Sequence, residues 1–226
     1  TAGTRVQTES LDSAFRRFYG GSRQALSLLQ RLRGQFLGLA AGVTGFYAAV
    51  NQIGEVVNSI QKIEAAQSRL VAVNNGNAQK IANDLDFLRR TANRLGIDFG
   101  TLADQYTKFA ASTQNTNIEK DTRGIFLAVA EAARVNKLSV EQLNGTLNAL
   151  SQIAAKGTVQ MEELKSQLGD RLPGAIQIMA DGLGIGTTEL FKLTEQGELS
   201  SEALSNFAQE LNNRYGKALP SALKTS

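Results

Sequence analysis

Apolar residues recur at helical spacing along the first third of the chain. Between Val50 and Val73 they fall mostly three or four positions apart, at Ile53, Val56, Val57, Ile60 and Ile63. This is the spacing of an amphipathic helix. The segment VNNGNAQ, residues 73–79, then interrupts the pattern with residue types that tolerate left-handed backbone and end helices. We therefore predict a long amphipathic helix that ends at this segment, and we place the main boundary of the chain there.

A second pattern returns four times beyond the boundary. Each copy has an apolar residue, then a residue suited to cap a helix, then a leucine at the fourth helical position. In such a hydrophobic staple the apolar residue packs on the first helical turn and fixes the angle at which the chain enters the helix. The predicted caps are Asp98, Ser139, Gly186 and Ser200, and Gln142 gives Ser139 the spacing of a capping box.

These turns predict an all-α fold, a compact multi-helix domain of short helices with tight stapled turns that follows the long amphipathic helix. The predicted helices cover residues 79–95, 99–114, 119–136, 140–156, 160–169, 173–183, 187–196 and 201–214. We expect an N-terminal helical segment over residues 1–75 and the compact domain over residues 76–226. Because the chain begins with threonine and shows no leader, we also expect a fragment of a longer protein.

Residues 34–54 form an uncharged, glycine-rich apolar run between Arg33 and Glu55. Its length is close to the ~20 residues that a membrane-spanning helix needs, but several polar residues dilute it. Gly34, Gly38 and Gly42 fall four positions apart, on one face of a helix, where a neighbouring helix can approach closely. The run is therefore a helix-packing seam or a segment that contacts a bilayer at some stage.

Composition narrows the chemistry. The 226 residues include only two prolines and no tryptophan, which suits a helical chain, and they include no cysteine and no histidine. Disulfides, thiolate metal sites and histidine-dependent triads are thereby excluded. The net charge is +3, but residues 1–33 carry six basic and two acidic residues, and residues 157–226 carry six basic and nine acidic ones. This asymmetry could order subunits or contact nucleic acid, or it is a solvated surface.

Two alternatives concern function. Glu162 and Glu163, with Asp170 further on, suggest a carboxylate hydrolase, although acidic residues in a first helical turn ordinarily stabilise the helix dipole. Residues 179–199 have the form of a helix-turn-helix DNA-binding unit. Its second helix would present two glutamates and one lysine, which is a poor surface for phosphate.

The segment KGTVQMEELKSQLGDRLPGAIQIMADGLGIGTTELFKLTEQGEL, residues 156–199, resembles the N-terminal domain of tape measure proteins from long-tailed bacteriophages and related prophage or tail-like particles. The likeness extends over roughly residues 80–200. We take its motif residues as interaction candidates, and they are Glu162, Glu163, Leu164, Gln167, Leu168, Gly169, Leu172, Pro173 and Gly174. Within the motif, we expect Pro173 to start the helix that runs from Gly174 to Leu183, as a first-turn proline.

The resemblance implies a structural protein of the virion tail and no enzyme. Such a protein occupies the tail tube, templates tube assembly and sets tail length, and this part of it would be a folded docking or anchoring domain. The implied partners are tail tube and tail tip or baseplate proteins, tail assembly chaperones and further copies of the chain, for example in a trimer. Contact with DNA in the tail and transient contact with the host membrane are also implied. No catalytic residue, cofactor, metal or small-molecule substrate is carried over.

Overall fold

The computed structural model describes residues 65–224 apart from residue 67. Over these residues the fold is all α, as predicted, with one isolated bridge pair between Thr158 and Ser200 and no strand. Helical residues 65–66 and 68–73 come first, and the part of the predicted long amphipathic helix before residue 65 lies outside the described residues. The elements that follow are α1 (Ala78–Leu95), α2 (Phe99–Thr113), a 3₁₀ turn (Glu119–Asp121), α3 (Thr122–Val135), α4 (Val140–Lys156), a π-helix (Glu162–Gly169), α5 (Ala175–Leu183), α6 (Thr187–Glu195), α7 (Ala203–Tyr215) and α8 (Leu219–Lys224).

The first three predicted turns are confirmed, since α2, α4 and α6 begin directly after the predicted caps. The Asp98 carboxylate accepts a hydrogen bond from the Thr101 N–H at 2.8 Å. Ser139 and Gln142 form the predicted capping box, in which each side chain accepts from the other residue's backbone N–H. These bonds satisfy N–H groups that have no acceptor within the helix, and they therefore stabilise each helix start.

The helices before these turns end in left-handed residues. Gly96 has φ +66° and Gly184 has φ +69°, and in both cases the next N–H bonds to the carbonyl five residues earlier. This is the Schellman arrangement, for which glycine is the ordinary residue because a Cβ disfavours positive φ. The turn after α3 has the same hydrogen bond, from Leu138 N–H to the Ala133 carbonyl at 2.9 Å, but its left-handed residue is Lys137 at φ +53°.

The predicted cap at Ser200 is wrong. Helix α7 begins at Ala203 with Glu202 as its N-cap residue. The backbone before it is held by the segment that follows α4, because Val159 N–H bonds to the Leu199 carbonyl at 2.8 Å and Ser201 N–H bonds to the Gly157 carbonyl at 2.9 Å. These long-range bonds have no signature in the local sequence, so the start of α7 is displaced by pairing between distant segments.

One hydrophobic core joins the helices. Helix α7 packs against α3 and α5, α2 packs against α4, and α4 packs against the π-helix. Gly182 allows the close approach of α5 to α7, because a Cβ there would lie 2.7 Å from the Asn206 carbonyl oxygen. Ala66 and Leu70 are fully buried in the same core, so the helix before the boundary segment contributes to the compact unit. The division into residues 1–75 and 76–226 remains a prediction.

Candidate functional site

The motif that carries the resemblance forms the corner between α4 and α5. The corner begins where α4 ends, at Lys156, and Gly157 follows in the left-handed conformation with φ +75°. The Gly157 N–H bonds back to the Ile153 carbonyl at 3.0 Å. The Lys-Gly pair is therefore a helix stop, in which glycine supplies a backbone conformation that other residues disfavour.

An ion pair between Lys156 and Glu163 connects the end of α4 to the π-helix at this corner. Lys156 Nζ lies 2.5 Å from Glu163 Oε1 and also donates to Gln160 Oε1 at 3.1 Å. The Glu163 side chain is 1% exposed, whereas the Lys156 side chain is 41% exposed. The second carboxylate oxygen of Glu163 is buried and has no hydrogen-bond partner among the described residues. The fold thus satisfies only half of this carboxylate, although a buried charge requires full compensation to be favourable.

The predicted helix over residues 160–169 is present, but residues 162–169 are a π-helix. Leucines at positions 164, 168 and 172 are fully buried, so one side of this segment and of the turn after it packs into the core. π-helices are rare, mostly short, and frequent at functional sites. The four-residue spacing of the leucines suits an α-helix as well, so the sequence does not distinguish the two conformations.

Leu172 to Ala175 form a type II turn. The Ala175 N–H bonds to the Leu172 carbonyl at 3.0 Å, and Gly174 has φ +73° and ψ +8°. Pro173 occupies the second position of the turn, where its fixed φ is favourable, and glycine is favoured at the third. The prediction that Pro173 lies in the first turn of a helix is wrong, because the helix starts at Ala175 and Gly174 is left-handed.

The interaction candidates divide by exposure. Glu162, Pro173 and Gly174 are exposed, and Gln167 and Gly169 are half-buried. The buried candidates are Glu163, Leu164, Leu168 and Leu172. The buried candidates pack inside the corner, whereas the exposed and half-buried ones have surface that a partner can reach. Gly34, Gly38 and Gly42 lie outside the described residues.

The arrangement gives no support to a hydrolase. Hydrolytic carboxyl pairs face each other across a cleft, about 5–10 Å apart. Here Glu163 is buried against Lys156, while Glu162 is exposed. Over the part of the chain that the structure describes, no group of three or more carboxylates is arranged to hold a metal ion.

Among the same described residues, none of the helices combines the length and the apolar character that a membrane span requires.

The helix-turn-helix prediction has the right form but an unsuitable surface. Helices α5 and α6 are joined through Gly184 as predicted. On α6, Glu189 and Glu195 are exposed beside Lys192. Phosphate contacts dominate the affinity of proteins for DNA, so a second helix with more acidic than basic groups disfavours binding.

A buried polar network outside the motif was not predicted from the sequence. Asp84 Oδ1 accepts from the Tyr106 hydroxyl at 2.6 Å and from Arg123 Nε at 2.9 Å, with Arg123 Nη2 at 2.7 Å. Asp84 Oδ2 accepts from Asn74 Nδ2 at 2.8 Å. One feature of the sequence could have indicated this network, because Asp84 is the charged residue on the apolar face of α1.

Aromatic rings pack beside the network. Tyr106 contacts Phe126 edge-on, with ring centroids 5.2 Å apart, and the Phe87 centroid lies 5.5 Å from that of Tyr106 and 6.4 Å from that of Phe126. The Arg123 guanidinium lies 5.8 Å from the Phe87 ring centroid. Burial, followed by the charge of Asp84, raises the pKa of Tyr106. The phenol is therefore held as a neutral donor, which is the form that can donate to the carboxylate.

Comparison with known proteins agrees with the resemblance. The sequence profile of a family described as "Tape measure protein" matches residues 51–225. A curated protein of Salmonella phage Felix O1 (isolate Felix O1-VT1), described as "Probable tape measure protein", is 31% identical over 180 residues. That match covers 80% of this chain and 24% of the relative, so the chain spans about a quarter of the relative's length. No solved structure matches the chain significantly.

Proposed function

Because the chain belongs to the tape measure protein family, we propose that it is the folded docking domain of a phage tail protein that occupies the tail tube, templates tube assembly and sets tail length. The family match over residues 51–225 carries this proposal, since it includes every described element. Within the longer protein, we propose that this domain anchors one end of the measuring stretch to other tail components.

The geometry supports an anchor rather than a ruler. A ruler requires extended helix, which rises ~1.5 Å per residue. The longest described helix, α1, has 18 residues and therefore spans about 27 Å. Tight turns then fold each helix back onto one core. We propose that other parts of the protein measure length. The region that matches this chain makes up about a quarter of the Felix O1 relative.

We propose tail tube and tail tip proteins as the partners of the domain, tail assembly chaperones as its partners before assembly, and a small number of copies per tail. The exposed corner residues Glu162, Pro173 and Gly174 are the proposed contact points. The apolar run over residues 34–54 is proposed as a packing seam in that assembly or a segment that contacts the host membrane.

Tail length tests the function directly. In the phage that encodes this chain, an in-frame deletion of roughly 30 residues within a helical part of the same protein, outside the region of residues 51–225, is expected to shorten tails by about 45 Å. An insertion of equal length is the matched control and should lengthen tails by the same amount. Tails of unchanged length in both variants, measured by electron microscopy, would contradict the proposal.

The docking role requires a separate variant. Glu162→Lys reverses the charge at the corner without touching the core, and Glu198→Lys makes the same change at an exposed site after α6. We expect fewer assembled tails from the first variant only. Equal yields of tails from both variants would remove Glu162 from the proposed contact surface.

A further inference from the structure

A groove of about 180 Å³ lies between the turn after α1 and the turn after α3. Apolar side chains from both turns and from the start of α4 line it, namely Leu95, Ile97, Leu138, Val140 and Leu143. Val140 is 52% exposed and is the one exposed large apolar side chain among the described residues. Val140 and the apolar lining of the groove together give this face apolar surface that is available to a partner.

The same groove is lined by two cations that have no carboxylate partner among the described residues. Arg134 Nε is buried and has no hydrogen-bond partner over residues 65–224 apart from residue 67, which the structure leaves undescribed. Glu131, one turn earlier on α3, is already paired with Arg94. The other cation, Lys137, forms no ion pair within the described part of the chain. The one carboxylate that lines the groove, Asp98, is bonded to the N–H and hydroxyl of Thr101 in its own helix.

The backbone at Lys137 adds an independent observation. Its left-handed conformation, φ +53°, is unfavourable for a residue with a Cβ, and the equivalent positions after α1 and α5 are glycines. Strained residues persist where the surrounding structure holds them, and they cluster at binding and switch sites. This turn therefore has a charged lysine beside the groove in place of the glycine that its backbone conformation favours.

We propose that this groove binds an extended segment of a partner protein that carries an aliphatic side chain next to a carboxylate. The aliphatic side chain would contact Val140 and Leu138, and the carboxylate would accept hydrogen bonds from Arg134, whose planar guanidinium suits bidentate recognition. Charge complementarity supports this occupant, since the groove offers Arg134 and Lys137 against a single carboxylate that is already hydrogen-bonded. The binding chemistry is independent of the role in tail length.

Peptide binding to the 226-residue chain tests the proposal. The probe is N-acetyl-leucyl-aspartate amide, and N-acetyl-leucyl-asparagine amide is its uncharged match. We expect the first peptide to shift NMR amide signals of residues 95–101 and 134–143. Because a hydrogen bond to a charged group is lost, the second peptide is expected to bind at least about tenfold more weakly.

Arg134→Gln should remove the difference between the two peptides, and Arg90→Gln, at an exposed arginine of α1, should preserve it. If Arg134→Gln fails to fold, the two peptides on the unmodified chain still decide the question. Equal affinities, absent shifts or shifts elsewhere would overturn the proposal. Groove signals that move with protein concentration alone would also overturn it, because they would identify a second copy of the chain as the occupant. Tail length is measured separately, so failure here leaves the proposed function standing.

Discussion

Two carboxylates are buried among the described residues, and the fold satisfies them to different degrees. Asp84 accepts hydrogen bonds from Asn74, Tyr106 and Arg123, and both of its oxygens are used. Glu163 accepts from Lys156 through one oxygen, and the other has no partner in the part of the chain that the structure describes. A fully satisfied buried network stabilises a unique packing, whereas a partly satisfied one contributes little or is unfavourable.

The buried carboxylate with the complete set of hydrogen bonds lies outside the family motif, and the incompletely bonded one lies within it. The Asp84 network joins the boundary segment, α1, α2 and α3, so it fixes four parts of the chain at once. The Glu163 pair joins α4 to the neighbouring π-helix alone. The residues that carry the family resemblance at the corner are therefore different from those that fix the packing of the N-terminal helices. The comparison predicts that substitutions at the two carboxylates have unequal effects.

The largest effect is expected for Asp84→Ala. It leaves the Tyr106 hydroxyl and part of the Arg123 guanidinium without an acceptor in a buried setting, and we expect a loss of about 3 kcal/mol in the free energy of unfolding. Urea denaturation monitored by circular dichroism measures this. Asp86→Ala is the control, because Asp86 lies on the same helix in exposed pairs with Arg89 and Arg90.

The control should change stability by no more than about 0.5 kcal/mol, as exposed ion pairs contribute little. Equal losses in the free energy of unfolding for Asp84→Ala and Asp86→Ala would contradict the larger stabilisation that we assign to the buried network.

An intermediate effect is expected for Tyr106→Phe. It removes one donor to Asp84 while Arg123 and Asn74 remain, so we expect a loss of about 1.5 kcal/mol at neutral pH. Phenylalanine keeps the contact with Phe126, which confines the change to the hydroxyl. Tyr215→Phe is the matched control, because the hydroxyl of Tyr215 makes a longer bond, 3.3 Å, to the Pro173 carbonyl. A loss as large for Tyr215→Phe would contradict the assignment.

The same variant should change the dependence of stability on pH. The pKa of Tyr106 is raised above its ordinary value of 10, chiefly by burial. The folded protein therefore binds this proton more tightly than the unfolded chain does. The stabilisation is fully present below pH 10 and is lost as pH rises above it, so stability should fall less steeply there in Tyr106→Phe. Parallel curves for the two proteins would show that Tyr106 does not contribute to this fall.

Local patterns allowed most of the fold to be predicted. Seven of the eight predicted helices agree with the structure to within two residues at each end, because caps, left-handed glycines and apolar spacing are encoded within a few residues. The predicted helix over residues 119–136 opens with a 3₁₀ turn, so α3 starts three residues later at Thr122, and α8 was not predicted. One exception depends on a distant partner, since Ser200 pairs with Thr158 and α7 starts three residues beyond it. The other is local, because proline followed by glycine favours the type II turn that Leu172 to Ala175 form, and the sequence prediction assigned this pair to a helix start instead.

The sequence predicts which residues of the motif are interaction candidates, but it does not predict their geometry. The motif does not reveal that Glu163 faces inward or that residues 162–169 form a π-helix. The partners of Asp84 lie 10, 22 and 39 positions away, and no periodic pattern connects them. A charged residue on an apolar helix face indicates that partners exist, but only the tertiary fold identifies them.

The smallest effect is expected for Glu163→Met, which replaces the half-satisfied carboxylate with an apolar side chain of similar volume. Because one hydrogen bond is lost and the half-exposed Lys156 can return to water, the free energy of unfolding should change by less than about 1 kcal/mol in either direction. Glu162→Met, at the exposed neighbour, controls for helix propensity. A loss near 3 kcal/mol, like that of Asp84→Ala, would show that the two carboxylates stabilise the fold equally. A neutral result would mean that stability does not explain this glutamate in the motif, and tail assembly by the variant would then be the property to measure.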